Sequence, residues 1–170
     1  MKIETSRLQL LPLMAEQLAL ATEDYEQLQK QLNLTITASA LDEEMAYAMN
    51  VRRRKVLEAP DDFLWLTNWA IISRQVNGII GFIMLKGCPN AAGEVIVGYG
   101  IDERYRRQGY ATEGIKALTE WIFQNPQATR ILADVEKDNE ASHRLMSGLG
   151  AFKYKEDDEL IWWRINKEGA

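Results

Sequence analysis

Between residues 5 and 13 the chain alternates. Leu8, Leu10 and Pro12 fall on one side and Arg7, Gln9 and Leu11 on the other, the period of a strand. The period then lengthens: Met14, Leu18, Ala21, Tyr25, Leu28 and Leu32 recur at helical spacing. Residues 33–40 are polar and β-branched and read as a loop. Leu41, Met45, Met49 and Val56 mark a second helix, stopped by Pro60. Residues 69–73 and 79–86 are strand-like, and Asn77-Gly78 between them predicts a hairpin whose two central positions take positive φ. Residues 88–93 turn again, and 94–101 form the next strand. Ala111, Ile115, Leu118 and Ile122 give a helix ended by Pro126. Residues 130–136 read as a strand, 139–149 as a short helix closed by Gly150, and 152–154 with 160–165 as a last hairpin. The order β-α-α-β-β-β-α-β-α-β-β predicts an α/β protein whose sheet begins largely antiparallel. With no repeat, low-complexity tract or linker, residues 1–170 read as a single domain.

Composition narrows the class. At 170 residues and 46% hydrophobic, the chain suits one sizeable core. A net charge of −5 disfavours general nucleic-acid binding and is compatible with cationic substrates. One cysteine, Cys88, excludes an internal disulfide and suggests a cytoplasmic setting; one histidine, His143, argues against a His/Cys metal cluster. No signal peptide is visible, and the longest apolar run is too short to span a membrane.

The densest chemistry lies where the strand at 94–101 passes into the helix at 111–122. Arg106-x-x-Gly109-x-Ala111 stands at the helix start, within Arg106-Arg107-Gln108-Gly109-Tyr110-Ala111-Thr112. Exposed N–H groups at a helix N-terminus form an anion site, Gly109 and Ala111 leave room for close approach, and Arg106 and Arg107 add positive charge. The stretch reads as a pyrophosphate cradle. A tight strand-to-helix turn is the alternative. A nucleotide-phosphate site is disfavoured, because the Lys-Ser/Thr of a P-loop is missing.

The chain resembles the GNAT (Gcn5-related) N-acetyltransferases, with the RimJ/RimL-like subgroup, the ribosomal-protein N-acetyltransferase type, as the nearest pattern. Arg106-x-x-Gly109-x-Ala111 fits the family's cofactor motif. Thr5-Ser6-Arg7-Leu8, Gly98-Tyr99, Gly109-Tyr110-Ala111-Thr112-Glu113, Asn139-x-x-Ser142 and Leu149-Gly150-Ala151-Phe152 follow in order, so the similarity covers about residues 5–166. The resemblance implies the GNAT acyl-CoA N-acyltransferase fold. That fold is a mixed central sheet of about seven strands with about four helices, whose central strands splay near Ile101 and Glu136. It also implies acetyl-CoA as co-substrate, no metal, and pantetheine in the wedge. An amine acceptor, a peptide N-terminus or a small molecule, would attack the thioester directly. The protein would be a monomer or homodimer.

By the same resemblance, Gly100 and Ile101 with Arg106 to Thr112 hold the cofactor, a backbone N–H near Gly100 or Ile101 polarises the thioester carbonyl, and Asn139 hydrogen-bonds the cofactor. Asn139 also reads as a plain N-cap. Ser142 reads either as a first-turn serine or as the acid for the departing thiolate, since Met146 stands where many relatives have a tyrosine. Relatives place a glutamate where this chain has Ile96. Glu94 shares that strand face and reads as a base acting through water or as an exposed residue at the strand start. His143 reads as a surface histidine, Arg52-Arg53-Arg54-Lys55 as a solvated helix, and the five tryptophans as core or pocket wall. Glu23, Asp24, Glu26, Asp42, Glu43 and Glu44 flank the loop that borders the acceptor pocket in the family, where an acidic rim would attract a cationic amine; most of them read instead as solvated helix ends, and Asp42 to Glu44 also suits a helix N-terminus. The rival readings are a small-molecule acetyltransferase (amino acid, polyamine or aminoglycoside) and a non-catalytic acyl-CoA-binding module.

Overall fold

The computed structural model describes residues 1–168. Eight strands form one sheet in the order β1-β2-β3-β4-β5-β6-β8-β7. They are β1 (Ile3–Glu4), β2 (Leu8–Pro12), β3 (Asn68–Ser73), β4 (Gly78–Leu85), β5 (Glu94–Ile101), β6 (Arg130–Glu136), β7 (Phe152–Glu156) and β8 (Leu160–Asn166). Every neighbouring pair is antiparallel except β5 and β6. Six α-helices cover it: α1 (Ala15–Glu23), α2 (Tyr25–Gln31), α3 (Glu43–Glu58), α4 (Phe63–Leu66), α5 (Tyr110–Ile122) and α6 (Glu140–Gly148). No helix among the described residues is long and apolar enough to cross a membrane.

Alternation along β3 sorts the core into two layers. Trp69 and Ile71 face α5, while Ala70 and Ile72 face α1–α3. The strand is buried along its whole length, as expected for a strand covered on both sides. The α5 side collects Leu8, Leu10, Ile83, Val95, Val97, Ile115, Leu118 and Ile131; the α1–α3 side collects Leu18, Tyr25, Leu28, Met49 and Phe82.

Three expectations change in detail. The apolar run from Met14 to Leu32 is two helices, because Asp24 leaves the helical region (φ −155°) and its side chain accepts from Gln27 N at 3.1 Å to start α2. The Asn77-Gly78 hairpin turns over Arg74 to Asn77, with Ser73 paired to Gly78; only Asn77 has positive φ (52°), and Gly78 already belongs to β4. Arg52 is not solvated: α3 turns it inward, where Nη1 donates to the Leu85 carbonyl at 2.9 Å, and burial lowers its pKa. The sheet gains the two-residue β1, and the helix count gains the Asp24 break and the one-turn α4.

Candidate active site

The parallel ladder between β5 and β6 is short. It runs from Glu94↔Arg130 to Ile96↔Leu132 and then stops, while β6 stays paired to β8 as far as Glu136 and β5 to β4 as far as Ile101. Each strand is therefore held on its outer side and released on its inner side, which opens the sheet beyond Ile96. Ile96 O accepts from Lys86 N at 2.9 Å and Asp102 N donates to Ile80 O at 2.8 Å, so even-numbered residues of β5 direct their backbone groups at β4. Alternation turns the backbone of Tyr99 and Ile101 toward the gap. The Ile101 carbonyl is taken by Arg106 Nε at 2.9 Å. The groups left facing the gap are the Tyr99 amide and carbonyl and the Ile101 N–H. The Gly100 N–H faces β4, so of the two donors expected at this turn only Ile101 is aimed into the opening.

The cradle follows directly. A 3-10 turn at Glu103 to Tyr105 is started by Asp102, whose carboxylate accepts from Arg104 N at 2.9 Å. Arg107 (φ 63°) and Gly109 (φ 80°) then take left-handed conformations and bring the chain into α5. Gly109 caps α5 with no side chain, and the first intrahelical bond is Glu113 N to Gly109 O at 3.1 Å. The amides of Tyr110, Ala111 and Thr112 are thus the open donors of the helix end. Residues 5–7 brace the far side. Glu113 accepts from Thr5 Oγ1 at 2.6 Å, Arg7 N at 3.1 Å and Arg7 Nε at 2.7 Å, while Arg7 Nη1 donates to Gln108 O at 2.8 Å and its guanidinium lies over the Tyr110 ring at 4.5 Å. Partial burial pushes the Glu113 carboxyl up, but the Thr5 and Arg7 hydrogen bonds outweigh it and hold the carboxyl below its usual range. Its negative charge is thereby tied to Arg7. This brace is legible in the sequence only as two distant patches, Thr5-Ser6-Arg7-Leu8 and Glu113.

On the other side of the gap, Asn139 Oδ1 accepts from Ser142 N at 3.2 Å and starts α6. The oxygen is spent on the cap, which leaves the amide nitrogen to reach a ligand. His143 is not a free surface histidine: Nε2 lies 3.0 Å from Glu136 O and Nδ1 accepts from Trp163 Nε1 at 2.9 Å, bolting α6 to β6 and β8.

Two cavities, of about 640 and 600 Å³, meet at β5. One lies on the α5–α6 side and is lined by Arg106, Arg107, Gly109, Tyr110, Ala111, Thr112, Asn139 and Ser142, with Arg144 as an addition. The other lies on the α1–α3 side and is lined by Tyr25, Thr37, Asp42, Glu44, Gly98, Asp102 and Glu103. Tyr99, Gly100, Ile101 and Arg106 border both. A Cβ placed on Gly100 would meet nothing within 4 Å, and on the face it shares with Phe82 the missing side chain leaves open space in the cavity on the α1–α3 side.

The second cavity has a defined wall. Gln29, fully buried on α2, donates to Tyr25 O and Ala38 O and accepts from Thr37 N at 2.8 Å, and Thr37 Oγ1 donates to Ile79 O at 2.7 Å. The loop after α2 is thereby pinned over the sheet. Burial, with a smaller contribution from the Asp102 charge, pushes the Tyr25 phenol far up. Asp42 is partly a structural residue, since it caps α3 through Met45 N at 2.7 Å.

Glu94 is not brought to this centre. It opens β5, six residues before Gly100 and so roughly 20 Å along the strand. It lines neither cavity and sits 3.8 Å from Arg130.

Residues 7–151 match the model of the acetyltransferase (GNAT) domain family. The uncharacterized N-acetyltransferase YjdG of Bacillus subtilis (strain 168) is 26% identical over 110 residues, 65% of this chain and 66% of that protein, so the match spans about two thirds of the relative's length. Among solved structures, RimL, a ribosomal L7/L12 alpha-N-protein acetyltransferase in complex with coenzyme A, superposes with a TM-score of 0.72 at 12% identity over 100% of both chains. The ribosomal-protein-S5-alanine acetyltransferase of Vibrio fischeri gives 0.70 at 15% identity over 99% of this chain and 98% of that one. At these identities the two structures are alike in fold alone.

Proposed function

The chain belongs to the GNAT acetyltransferase family, and from that premise we propose that it is an acetyl-CoA-dependent N-acetyltransferase whose acceptor is a primary amine. The observation that carries the reading is the pair of cavities joined at Tyr99, Gly100 and Ile101, one behind the glycine cradle and one lined by carboxylates. A transferase that forms no covalent enzyme intermediate needs such a meeting point.

The residues present suit the co-substrate. The open amides of α5 with Arg106 and Arg107 match a pyrophosphate, and the released edge of β5 offers strand-like partners to the amides of pantetheine. When bound, acetyl-CoA supplies an acetyl group already activated as a thioester. In this reading the Ile101 N–H donates to the thioester oxygen and Ser142, which lines the same cavity, donates toward the sulfur. Cys88 is exposed and lines neither cavity, in keeping with direct attack by the amine. A protonated amine is drawn by Asp42, Glu44 and Glu103, since the Asp102 carboxylate is already paired with Arg104 at 2.8 Å. With Glu94 engaged at Arg130, its proton leaves to water rather than to a dedicated carboxylate on β5.

The acceptor we favour is a peptide N-terminus, supported by the resemblance to the RimJ/RimL-like pattern. A small polyamine or aminoglycoside is the second reading, favoured by the acidic lining. An acceptor panel of N-terminal peptides, amino acids, polyamines and aminoglycosides, read by thiol release, decides between them. Turnover confined to peptides supports the first. Turnover confined to small amines supports the second. No turnover on any amine, with acetyl-CoA still bound, would leave a non-catalytic acyl-CoA-binding protein.

A further inference from the structure

Asn68 opens β3 and is only 2% exposed, yet it lines the cavity on the α1–α3 side. Its Nδ2 donates to Met49 Sδ at 3.3 Å. A thioether sulfur has no proton to give, so the amide nitrogen must be the atom against it, and this settles which way the amide is turned. The other end, Oδ1, has no hydrogen-bond partner among the described residues. It is not sealed away either. The unpartnered side-chain oxygens and nitrogens cut off from open space are Tyr99 Oη and Arg164 Nε. Asn68 Oδ1 therefore keeps access, and the open space that Asn68 lines is the cavity. An acceptor oxygen on a side chain this deeply buried is costly until a donor meets it.

The ground between Asn68 and the meeting point of the cavities is apolar. Asn68 pairs in register with Met84, and Met84 with Gly98, while Met45 and Ala48 of α3 line the same cavity. Gly98 lies two strand spacings from Asn68, roughly 10 Å. The cavities meet just beyond it, at Tyr99 to Ile101. Among the described residues the one cation on the lining is Arg106, at that far end, with Nε given to the Ile101 carbonyl.

We propose that Asn68 determines acceptor specificity, its Oδ1 accepting a hydrogen bond from a second N–H or O–H of the acceptor, several bonds away from the reacting amine. This rests on the acetyltransferase reading above. The substrate class is a primary amine joined by an apolar stem to a distal donor. On a peptide that donor is the end of the first residue's side chain; on a small molecule it is the second nitrogen of a diamine. A distal carboxylate would set oxygen against oxygen, with Asp42, Glu44 and Glu103 adding repulsion. A purely apolar end would leave Oδ1 unmet, which is how a site built around one hydrogen bond rejects an analogue that lacks it.

Two matched pairs of acceptors test this with acetyl-CoA saturating. One is a peptide beginning with asparagine against the same peptide beginning with leucine; the other is 1,4-diaminobutane against butylamine. In the wild type, kcat/KM should favour the donor-bearing member by about tenfold or more, and the pair that turns over shows whether the acceptor is a peptide or a small amine. Asn68→Leu keeps the volume and removes both polar atoms. The preference should then fall on the order of tenfold, through KM rather than kcat. Asn68→Ala repeats the measurement with a smaller side chain, and a rise in Tm on adding acetyl-CoA shows that each variant is folded with its co-substrate site intact. A wild type indifferent within both pairs, or a preference unchanged in both variants, would overturn the proposal and leave the acetyltransferase reading intact. A wild type that turns over no amine at all fails that reading, and this one with it.

Discussion

At the scale of single residues, the site depends as much on missing side chains as on those present. Gly100 faces open space, and its φ lies in the ordinary range, so Gly100→Val should fold normally and keep its affinity for acetyl-CoA. Gly100 shares the sheet face of its partner Phe82, so the added methyls would project into the cavity on the α1–α3 side, and kcat/KM for the amine should fall at least about tenfold, measured with acetyl-CoA saturating. Ser142→Ala should lower kcat on the order of tenfold while acetyl-CoA binding holds, and equal losses in both would make Ser142 a positioning residue. Glu94→Gln should follow the wild-type kcat/KM profile across pH, because the carboxylate pairs with Arg130 at the far end of the strand. A selective loss at low pH would restore it as a base. These three residues show the reach of sequence reading. The type and spacing of Ser142 and Gly100 point to the site, whereas face alternation, which placed Glu94 beside Ile96, says nothing of distance along the strand. Asn68 carries no signal in the sequence, since burial beside a cavity is a tertiary property.

The elements hold the site through contacts remote in sequence. The brace from residues 5–7 to α5 centres on Glu113, whose pKa is depressed in the folded state. A depressed carboxylate contributes stability above its unfolded pKa of about 4.3, and that contribution is lost as pH falls through the folded value. Denaturant titrations should therefore show wild type more stable than Glu113→Gln at pH 7. The gap should narrow progressively below about pH 4 as the wild-type carboxylate protonates. A gap independent of pH would mean that Glu113 acts by packing alone. On the acceptor side, the helix break at Asp24 and the buried Gln29 fix the loop carrying Thr37 and Ala38. The helical period correctly marks Tyr25 and Leu28 as core. It overlooks Asp24 because an N-cap inside an apolar repeat interrupts the backbone without interrupting the pattern.

Across the whole molecule, ligand binding and folding are linked. Acetyl-CoA at about 100 times its Kd should stabilise the protein by roughly 2.7 kcal/mol. For a chain of this size that is about 5–10 °C in Tm by calorimetry. Gly109→Glu should abolish that shift: a side chain there starts 3.3 Å from Arg7 Nη2, so the added carboxylate competes for the guanidinium that braces the cradle and brings negative charge to the start of α5. Gly109→Ala shares the strain of a left-handed residue, so it is the control: it should lower Tm in the absence of ligand and keep most of the shift. Equal shifts in the wild type and Gly109→Glu would move the cofactor site elsewhere.

What the sequence determined by itself is local. The bounds of β5 and β6 match the expected strands at 94–101 and 130–136, Asn139 caps α6, and Gly109 starts α5. Periodicity, capping chemistry and turn residues act over a few positions and are written in those positions. The tertiary structure alone decided where the β5–β6 ladder ends, which amides face the gap, and that Glu94 does not arrive. Each of these depends on pairing between segments tens of residues apart, where β4 and β8 hold the outer edges of two strands while nothing holds the inner ones together. No local pattern encodes that balance, because it exists only once all four strands are in register.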